Sequence, residues 1–470
     1  MHTRDITERR IWELDQAINM RGVRLDLDYV RDALDIVDEQ SHSLNRKVAE
    51  LTGELTNVSQ RAVVLDWCAA QGYPLDSYTK EAVNNAVADP ACPKLVKEVL
   101  QVRQQLGKTS TAKYTKMLQC ADPNDERVRG TLLYHGAATG RFAGRLIQPQ
   151  NFPRPHPDIE GIEDTIVELV RARDWDMVRL IAGIDPMEAL SSTLRQAIIA
   201  SEGCRLIVSD YSAIEARVTP WLAGQEDTLD VFRAGGDIYK HAAAGIYGVD
   251  PADVDKQQRF IGKVATLALG YQGAVGAFSV MAAAYGVEMD EPLIRGIVDR
   301  WRKANPHIVN LWRLCEKAAK AAIKERGKKF VVRGKLGFVV RGNFLFMVLP
   351  SGRKLAYFRP AVQSVDGREK ITFSGVNSTT RKWERQDTYG GKLVENAAQA
   401  VARDLMCGAM LRIEDAGYPL VLTVHDELIA DVPEQFGSLG EFNDLMRETP
   451  DWATDLPIEV EGYEAFRYRK

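Results

Sequence analysis

From Asp26 to about Gln119 apolar residues recur at helical spacing: Leu27, Val30, Leu34 and Val37 follow a 3.6-residue period, and Cys92 to Leu118 continues the style. This predicts a helical N-terminal unit. Arg205 to Asp210 (Arg-Leu-Ile-Val-Ser-Asp) is instead a short apolar run ending on a carboxylate, which predicts a buried strand, with a helix after it over Ser212 to Val218. Asp290 to Arg326 is helical, with Asn305 as N-cap and Pro306 at the first position of its second half. From Lys329 to Pro360 the character changes to alternating β-branched and aromatic residues broken by Gly334, Gly337, Gly342 and Gly352, a meander of short strands. Leu393 to Ala416 returns to helix, and Leu420 to Val432 is a strand pair around His425-Asp426-Glu427. The predicted class is α+β, a mixed α/β chain.

The 470 residues exceed what one hydrophobic core usually holds, and neither a fixed-period repeat nor a long linker separates them, so units that share walls are expected. With 45% hydrophobic and 27% charged residues, wholesale disorder is excluded. Six scattered cysteines form no CxxC pair, which argues against a zinc ribbon or disulfide framework. Charges run through the first 30 residues, and no stretch reaches the roughly 18 apolar residues of a membrane span. A cytoplasmic protein without a membrane partner is expected. The net charge of −4 argues against indiscriminate polyanion binding yet allows a basic groove on an acidic surface.

Four constellations carry chemistry. Asp210-Tyr211-Ser212-Ala213-Ile214-Glu215-Ala216-Arg217 places a carboxylate at the end of a buried strand, where it needs a cation or hydrogen bonds; a helix N-cap is the plainer role. Val424-His425-Asp426-Glu427-Leu428 puts acids at a strand-pair tip, either as turn formers or as a second metal-ligating site. Paired carboxylates suit hard divalent cations, and phosphoryl transfer uses two ions about 3.5–4 Å apart. In the predicted helix Gln257 to Gln272, Arg259, Lys263, Leu267 and Tyr271 recur every four residues. They form a stripe about 18 Å long with cations at one end and an aromatic at the other, matching a nucleoside triphosphate or an ordinary amphipathic helix. Last, Thr139-Gly140-Arg141 and Gln148-Pro149-Gln150-Asn151 offer close backbone approach, guanidinium and amides to a nucleic acid, or serve as a connector. Small hydroxyls and cations also interleave over Lys108, Ser110 and Lys113, a pattern suited to phosphate or to a solvated helix end.

Taken together, these residues resemble the polymerase region of family A DNA polymerases, the group containing bacterial DNA polymerase I. Asp210 to Arg217 looks like motif A (DYSxIExR), Arg259, Lys263, Tyr271 and Gly273 like the fingers helix, and Val424 to Glu427 like the VHDE motif C. Thr139-Gly140-Arg141, Asn151, Gln399 with Asp404 and Lys108 to Lys116 add support, in the family's order over about residues 20–470. The resemblance implies a right-hand fold: a lead-in over 1–20, a thumb over 21–126, palm over 127–232, fingers with an inserted meander over 233–384, and palm again over 385–470. It implies template-directed addition of dNTPs to a primer, with two Mg²⁺ ions, replaceable by Mn²⁺, held by Asp210 and Asp426, the Tyr211 backbone carbonyl beside them and Glu427 nearby. Arg259 and Lys263 then bind the triphosphate, Tyr271 stacks near the template base, and Glu215 blocks a ribose 2′-OH. By the same matching Arg141 and Gln399 touch the minor groove of primer-template DNA and His425 the primer terminus, with Asn151, Lys108, Ser110 and Lys113 as further DNA contacts.

Two positions depart from the family pattern: Leu267 replaces Phe or Tyr, and Tyr239 replaces a triphosphate-contacting His. The meander and Tyr389 to Asn396 look closer to bacteriophage members, which would place the protein in a host cytoplasm. No Asp-x-Glu exonuclease region precedes the thumb-like sequence, so proofreading is expected to come from a separate exonuclease or replication protein, to be absent, or to have been removed by truncation. A single-subunit RNA polymerase is the near alternative, opposed by Glu215. A catalytically dead DNA-binding accessory is opposed by retention of Asp210, Asp426, Arg259 and Lys263.

Overall fold

The computed structural model describes residues 3–53, 55–107, 112–365, 367–377 and 379–469. At its centre a four-stranded antiparallel sheet runs in the order Leu420–Val424, Glu427–Pro433, Cys204–Tyr211, Val460–Ala465. Strand Cys204–Tyr211 lies inside this sheet with both backbone edges paired, as its buried run Leu206 to Ser209 requires. The register sets Asp210 opposite Glu427 on one side and Glu461 on the other, which directs all three side chains to one face.

Helices Leu27–Thr52, Arg61–Ala70, Lys80–Ala88 and Lys94–Leu106 build the predicted N-terminal unit. Its outer part has a core of its own around Val48, Trp67, Val96 and Val99, separate from the main one. The first 20 residues are not a mere lead-in. Helix Thr3–Arg21 docks on the sheet and on the long helix Gly390–Asp415 through buried Ile11, Leu14 and Ile18, and Arg21 pairs with Glu414. Exposed Trp12 and Met20 blur that period in the sequence.

Helices Ile238–Tyr247, Lys256–Leu269, Val275–Ala284, Glu291–Ala304 and Pro306–Lys324 follow one another, the last two divided at Asn305 as predicted. Asn305 holds the N-cap position of the later helix as predicted, but its side chain points backwards, Nδ2 donating to the carbonyl of Trp301 at 2.9 Å, so it makes no side-chain cap bond to the later helix. The meander becomes a six-stranded antiparallel sheet in strict sequence order from Phe330 to Thr388. It outruns the predicted Lys329 to Pro360 because strands Arg368–Val376 and Trp383–Thr388 carry several charged residues. One face, with Phe338, Val340, Leu345, Met347 and Leu355 buried, packs on helix Pro306–Lys324. Among the described residues no helix is long and apolar enough to cross a membrane.

Candidate active site

Asp210 does not cap the helix after it. The N-cap position of Ile214–Ala223 belongs to Ala213, in left-handed conformation with φ 51°. Asp210 instead stands half-buried at the end of its strand. Next to it, strands Leu420–Val424 and Glu427–Pro433 are joined by only His425 and Asp426, and His425 adopts φ 59°, the conformation such tight hairpins demand. The Tyr211 N–H donates to the Asp426 carbonyl at 3.3 Å, which pins the two Asp-bearing segments together. The Tyr211 ring is buried and its hydroxyl donates to the carbonyl of Met446 at 2.9 Å. Glu427 differs from its neighbours: it is 2% exposed and accepts from the buried Tyr468 hydroxyl at 2.5 Å. Among the described residues no three His, Cys, Asp or Glu side chains form a metal cage. Two hard carboxylates beside a strand-end carbonyl suit a cation that keeps several waters and takes phosphate oxygens as further ligands, which is how Mg²⁺ behaves.

Glu215 brings three sequence segments together. One carboxylate oxygen accepts from Arg141 at 2.5 Å, and the other from the Tyr271 hydroxyl at 2.9 Å. Thr219 holds the same hydroxyl at 3.3 Å. Burial, and then the Glu215 charge, keep the Tyr271 phenol well above its ordinary pKa, so it remains a donor. Arg217, by contrast, is a structural part, buried with its donors on the carbonyls of Ser212 and Pro457.

The helix Lys256–Leu269 starts at a capping box made by Asp255 and Gln258. Ile261, Val264, Ala265 and Leu269 face the core, while Arg259 and Lys263 are half-buried and Leu267 is 42% exposed. The stripe is shorter than the sequence suggested. Its helix ends at Leu269, Trp312 Nε1 donates to the Gly270 carbonyl at 2.9 Å, and Tyr271 leaves the helical face to meet Glu215. Arg259 Nε donates to Asp237 at 2.5 Å, and its guanidinium lies 5.3 Å from the Tyr239 ring. Asp237 was not singled out in the sequence, although an Asp before Ile238–Tyr247 is a helix-start signal; it accepts from the N–H groups of Tyr239 and Lys240. Burial would raise its carboxyl pKa, but Arg259 and these N–H groups outweigh it and hold it below the ordinary value. Lys263 Nζ sits 5.2 Å from the Tyr285 ring.

The Thr139-Gly140-Arg141 loop is braced rather than a free connector. Arg353 donates to the Thr139 carbonyl at 2.9 Å and to Asp404 at 2.6 Å, and buried Arg403 donates to the Gly140 carbonyl at 3.0 Å and to Glu8 at 2.6 Å. Gly140 takes φ 92° with Arg353 against its α-carbon, so a side chain there would be both strained and crowded. Exposed Asn151 donates to Gln148 at 3.1 Å, and Lys113 reaches the same oxygen at 3.5 Å. Burial lowers the Lys113 pKa. Gln150 ties this segment to the Asp426 hairpin: its side chain donates to the Thr423 carbonyl at 2.7 Å, and its own carbonyl accepts from His425 at 3.0 Å. Gln399 is half-buried and donates to Glu395 at 3.4 Å. Lys108 and Ser110 lie outside the described residues.

Comparison with known proteins fits this geometry. The model of DNA polymerase family A matches residues 34–321. Over 469 residues, 99% of the chain, the sequence is 40% identical to a DNA polymerase of Bacillus phage SP02 and spans 71% of that protein. It is 24% identical to the thermostable DNA polymerase I of Thermus filiformis and to DNA polymerase I of Chloroflexus aurantiacus over 97% and 89% of the chain, spanning 46% and 38% of those proteins. The fold resembles the polymerase domain of Pol1 from M. smegmatis, solved with DNA primer-template and dNTP, at a TM-score of 0.64 and 17% identity over 98% of this chain and 69% of that one. With a family model matched over more than half of its length and a phage relative 40% identical over 99% of it, the chain belongs to DNA polymerase family A.

Proposed function

We propose that this family A DNA polymerase adds dNTPs to a primer 3′-OH on a DNA template, with Asp210 and Asp426 holding two Mg²⁺ ions. The observation that carries the reading is the junction at the end of the central sheet, where the Tyr211–Asp426 hydrogen bond brings both Asp segments together. When bound, the ions supply the positive charge that activates the attacking oxygen and steadies the leaving group. The chain's own side chains do the rest. Arg259 and Lys263, already desolvated on one side, offer charge-assisted hydrogen bonds to a triphosphate, and Tyr239 and Leu267 border the same nucleotide. Glu215, braced by Arg141 and Tyr271, occupies the room a ribose 2′-OH would need. Arg141, Asn151, Gln399, His425 and Lys113 position the primer-template, and Tyr271 lies by the template base. The reading assigns these residues no 3′→5′ exonuclease site.

The test is primer extension by Asp210→Asn and Asp426→Asn alongside a binding assay on the same duplex. Nucleotide addition should vanish while affinity for primer-template persists, because groove and phosphate contacts come from other residues. Near-normal extension by either variant would overturn the metal assignment. Metal-dependent trimming of a labelled primer that survives Asp210→Asn would overturn the exonuclease part.

A further inference from the structure

The six-stranded sheet buries one face on helix Pro306–Lys324; the other carries a row of aromatic rings. Phe344 and Phe346 stand two apart in one strand and share that face, and the register sets Phe358 opposite Phe344. The rings follow in series, with centroids 5.8 Å apart from Phe346 to Phe344, 5.1 Å from Phe344 to Phe358 and 6.1 Å from Phe358 to Trp383. Trp383 is 64% exposed, a large apolar surface to leave in water. Cations are interleaved with the rings. Lys354 lies 5.8 Å from the Phe346 ring and Arg359 lies 5.2 Å from the Phe358 ring. Arg385, two residues from Trp383 and so on the same face, spends its donors on Thr372 and on the Arg359 carbonyl, which fixes a positive charge there without a carboxylate. Asp387 on this face is balanced by Lys370 at 3.5 Å.

We infer that this face binds single-stranded DNA, specifically the unpaired template arm ahead of the primer. Unpaired bases offer a flat face at each nucleotide and a phosphate between them, which a row of rings with cations alternating along it complements. A duplex hides its base faces, and the core of a protein interface is depleted of charge. Two anchors tie the sheet to the candidate site. Arg353, in the hairpin between Phe346 and Phe358, holds the Thr139 carbonyl, and the last strand runs into Gly391, whose α-carbon abuts the Tyr271 carbonyl. The choice of the template arm rests on the polymerase reading, because Tyr271 marks the template side there; binding of a single strand does not.

The experiment measures fluorescence anisotropy with a labelled oligo-dT and with primer-templates carrying a short or a long 5′ overhang, all in an Asp210→Asn background so that binding is read without catalysis. Trp383→Ala with Phe344→Ala should weaken oligo-dT and long-overhang binding by about tenfold or more while leaving the short overhang unchanged. Lys354→Glu with Arg359→Glu should flatten the salt dependence of log Kd by about 1.4, two phosphate contacts' worth. Unchanged affinity for oligo-dT in the aromatic variant, with short-overhang binding intact as proof of folding, would overturn the proposal. So would equal weakening on both overhangs, or a wild-type dimer that the aromatic variant converts to monomer, which would mark a self-interface. Weakened oligo-dT binding with long-overhang binding unchanged would overturn the template arm as the occupant.

Discussion

Replacing Tyr271 with Phe removes one oxygen, and the change should surface in the choice of sugar rather than in the fold. The hydroxyl donates to one oxygen of Glu215 at 2.9 Å while Arg141 holds the other, so the carboxylate is clamped from two sides and the substitution frees one. A hydrogen bond to a charged group is worth about 1.5–3 kcal/mol, and the Glu215 side chain is 33% exposed, which favours the lower end. About 1.5 kcal/mol is about tenfold in an equilibrium. If the carboxylate must stay in place to obstruct a 2′-OH, the ratio of kcat/KM for dNTP over rNTP should fall by up to about tenfold in Tyr271→Phe, and further in Glu215→Ala. Because Tyr271 acts through Glu215, the double variant should match Glu215→Ala alone. Single-nucleotide incorporation on one template, with matched dNTP and rNTP, gives all four ratios. A Tyr271→Phe ratio equal to wild type while Glu215→Ala lowers its own, or effects that add in the double variant, would refute the clamp.

Lys263→Ala should lower kcat/KM for all four dNTPs by roughly ten- to a hundredfold through loss of a charge-assisted contact, and unchanged kinetics would move the triphosphate elsewhere. Leu267, one turn beyond Lys263 and 42% exposed, lacks the hydroxyl that could replace a missing 3′-OH interaction. Leu267→Tyr should therefore raise the ddNTP/dNTP incorporation ratio and Leu267→Phe should not; equal ratios in all three proteins would show that this residue does not face the sugar. Asp15, 1% exposed in helix Thr3–Arg21, has its carboxyl pushed by burial from 3.8 to about 6, against opposing hydrogen bonds from Asn19 and Gln16. The folded state thus holds that proton more tightly than the unfolded one, and the stability it contributes disappears as pH rises through about 6, about 3 kcal/mol in full. Asp15→Asn should melt above wild type at pH 8, with the gap narrowing toward pH 5 in thermal scans; parallel pH curves would refute the shift.

What the sequence revealed, and what it hid, divides by range. The strand ending at Asp210, the hairpin carrying Asp426 and the Arg259–Lys263–Leu267 face all follow from neighbours within one element, where periodicity and burial are directly coupled. The partners arrive from far away. Arg353 reaches Thr139 across 214 residues and Gln150 reaches Thr423 across 273, and no local pattern announces either meeting. Tyr468 on Glu427 is hidden for the same reason. Tyr271 misled differently: its spacing continues the stripe, but the helix ends at Leu269 and the chain turns left-handed at Gln272, φ 68°, a residue type that announces no turn. The helix Thr3–Arg21 escaped notice because exposed Trp12 and Met20 obscure its buried side.

The left-handed turn at His425 sets two kinds of fitness against each other. A non-glycine residue in that conformation carries a backbone penalty of about 1–2 kcal/mol, and glycine would relieve it. Selection for heat resistance alone would therefore drift toward glycine at the hairpin tip, discarding the imidazole that reaches the Gln150 carbonyl and, with it, the brace between the Asp426 hairpin and the segment leading to Asn151. A thermostabilised descendant of this polymerase that still copies DNA well should have acquired its gains elsewhere, leaving that one uncomfortable residue alone.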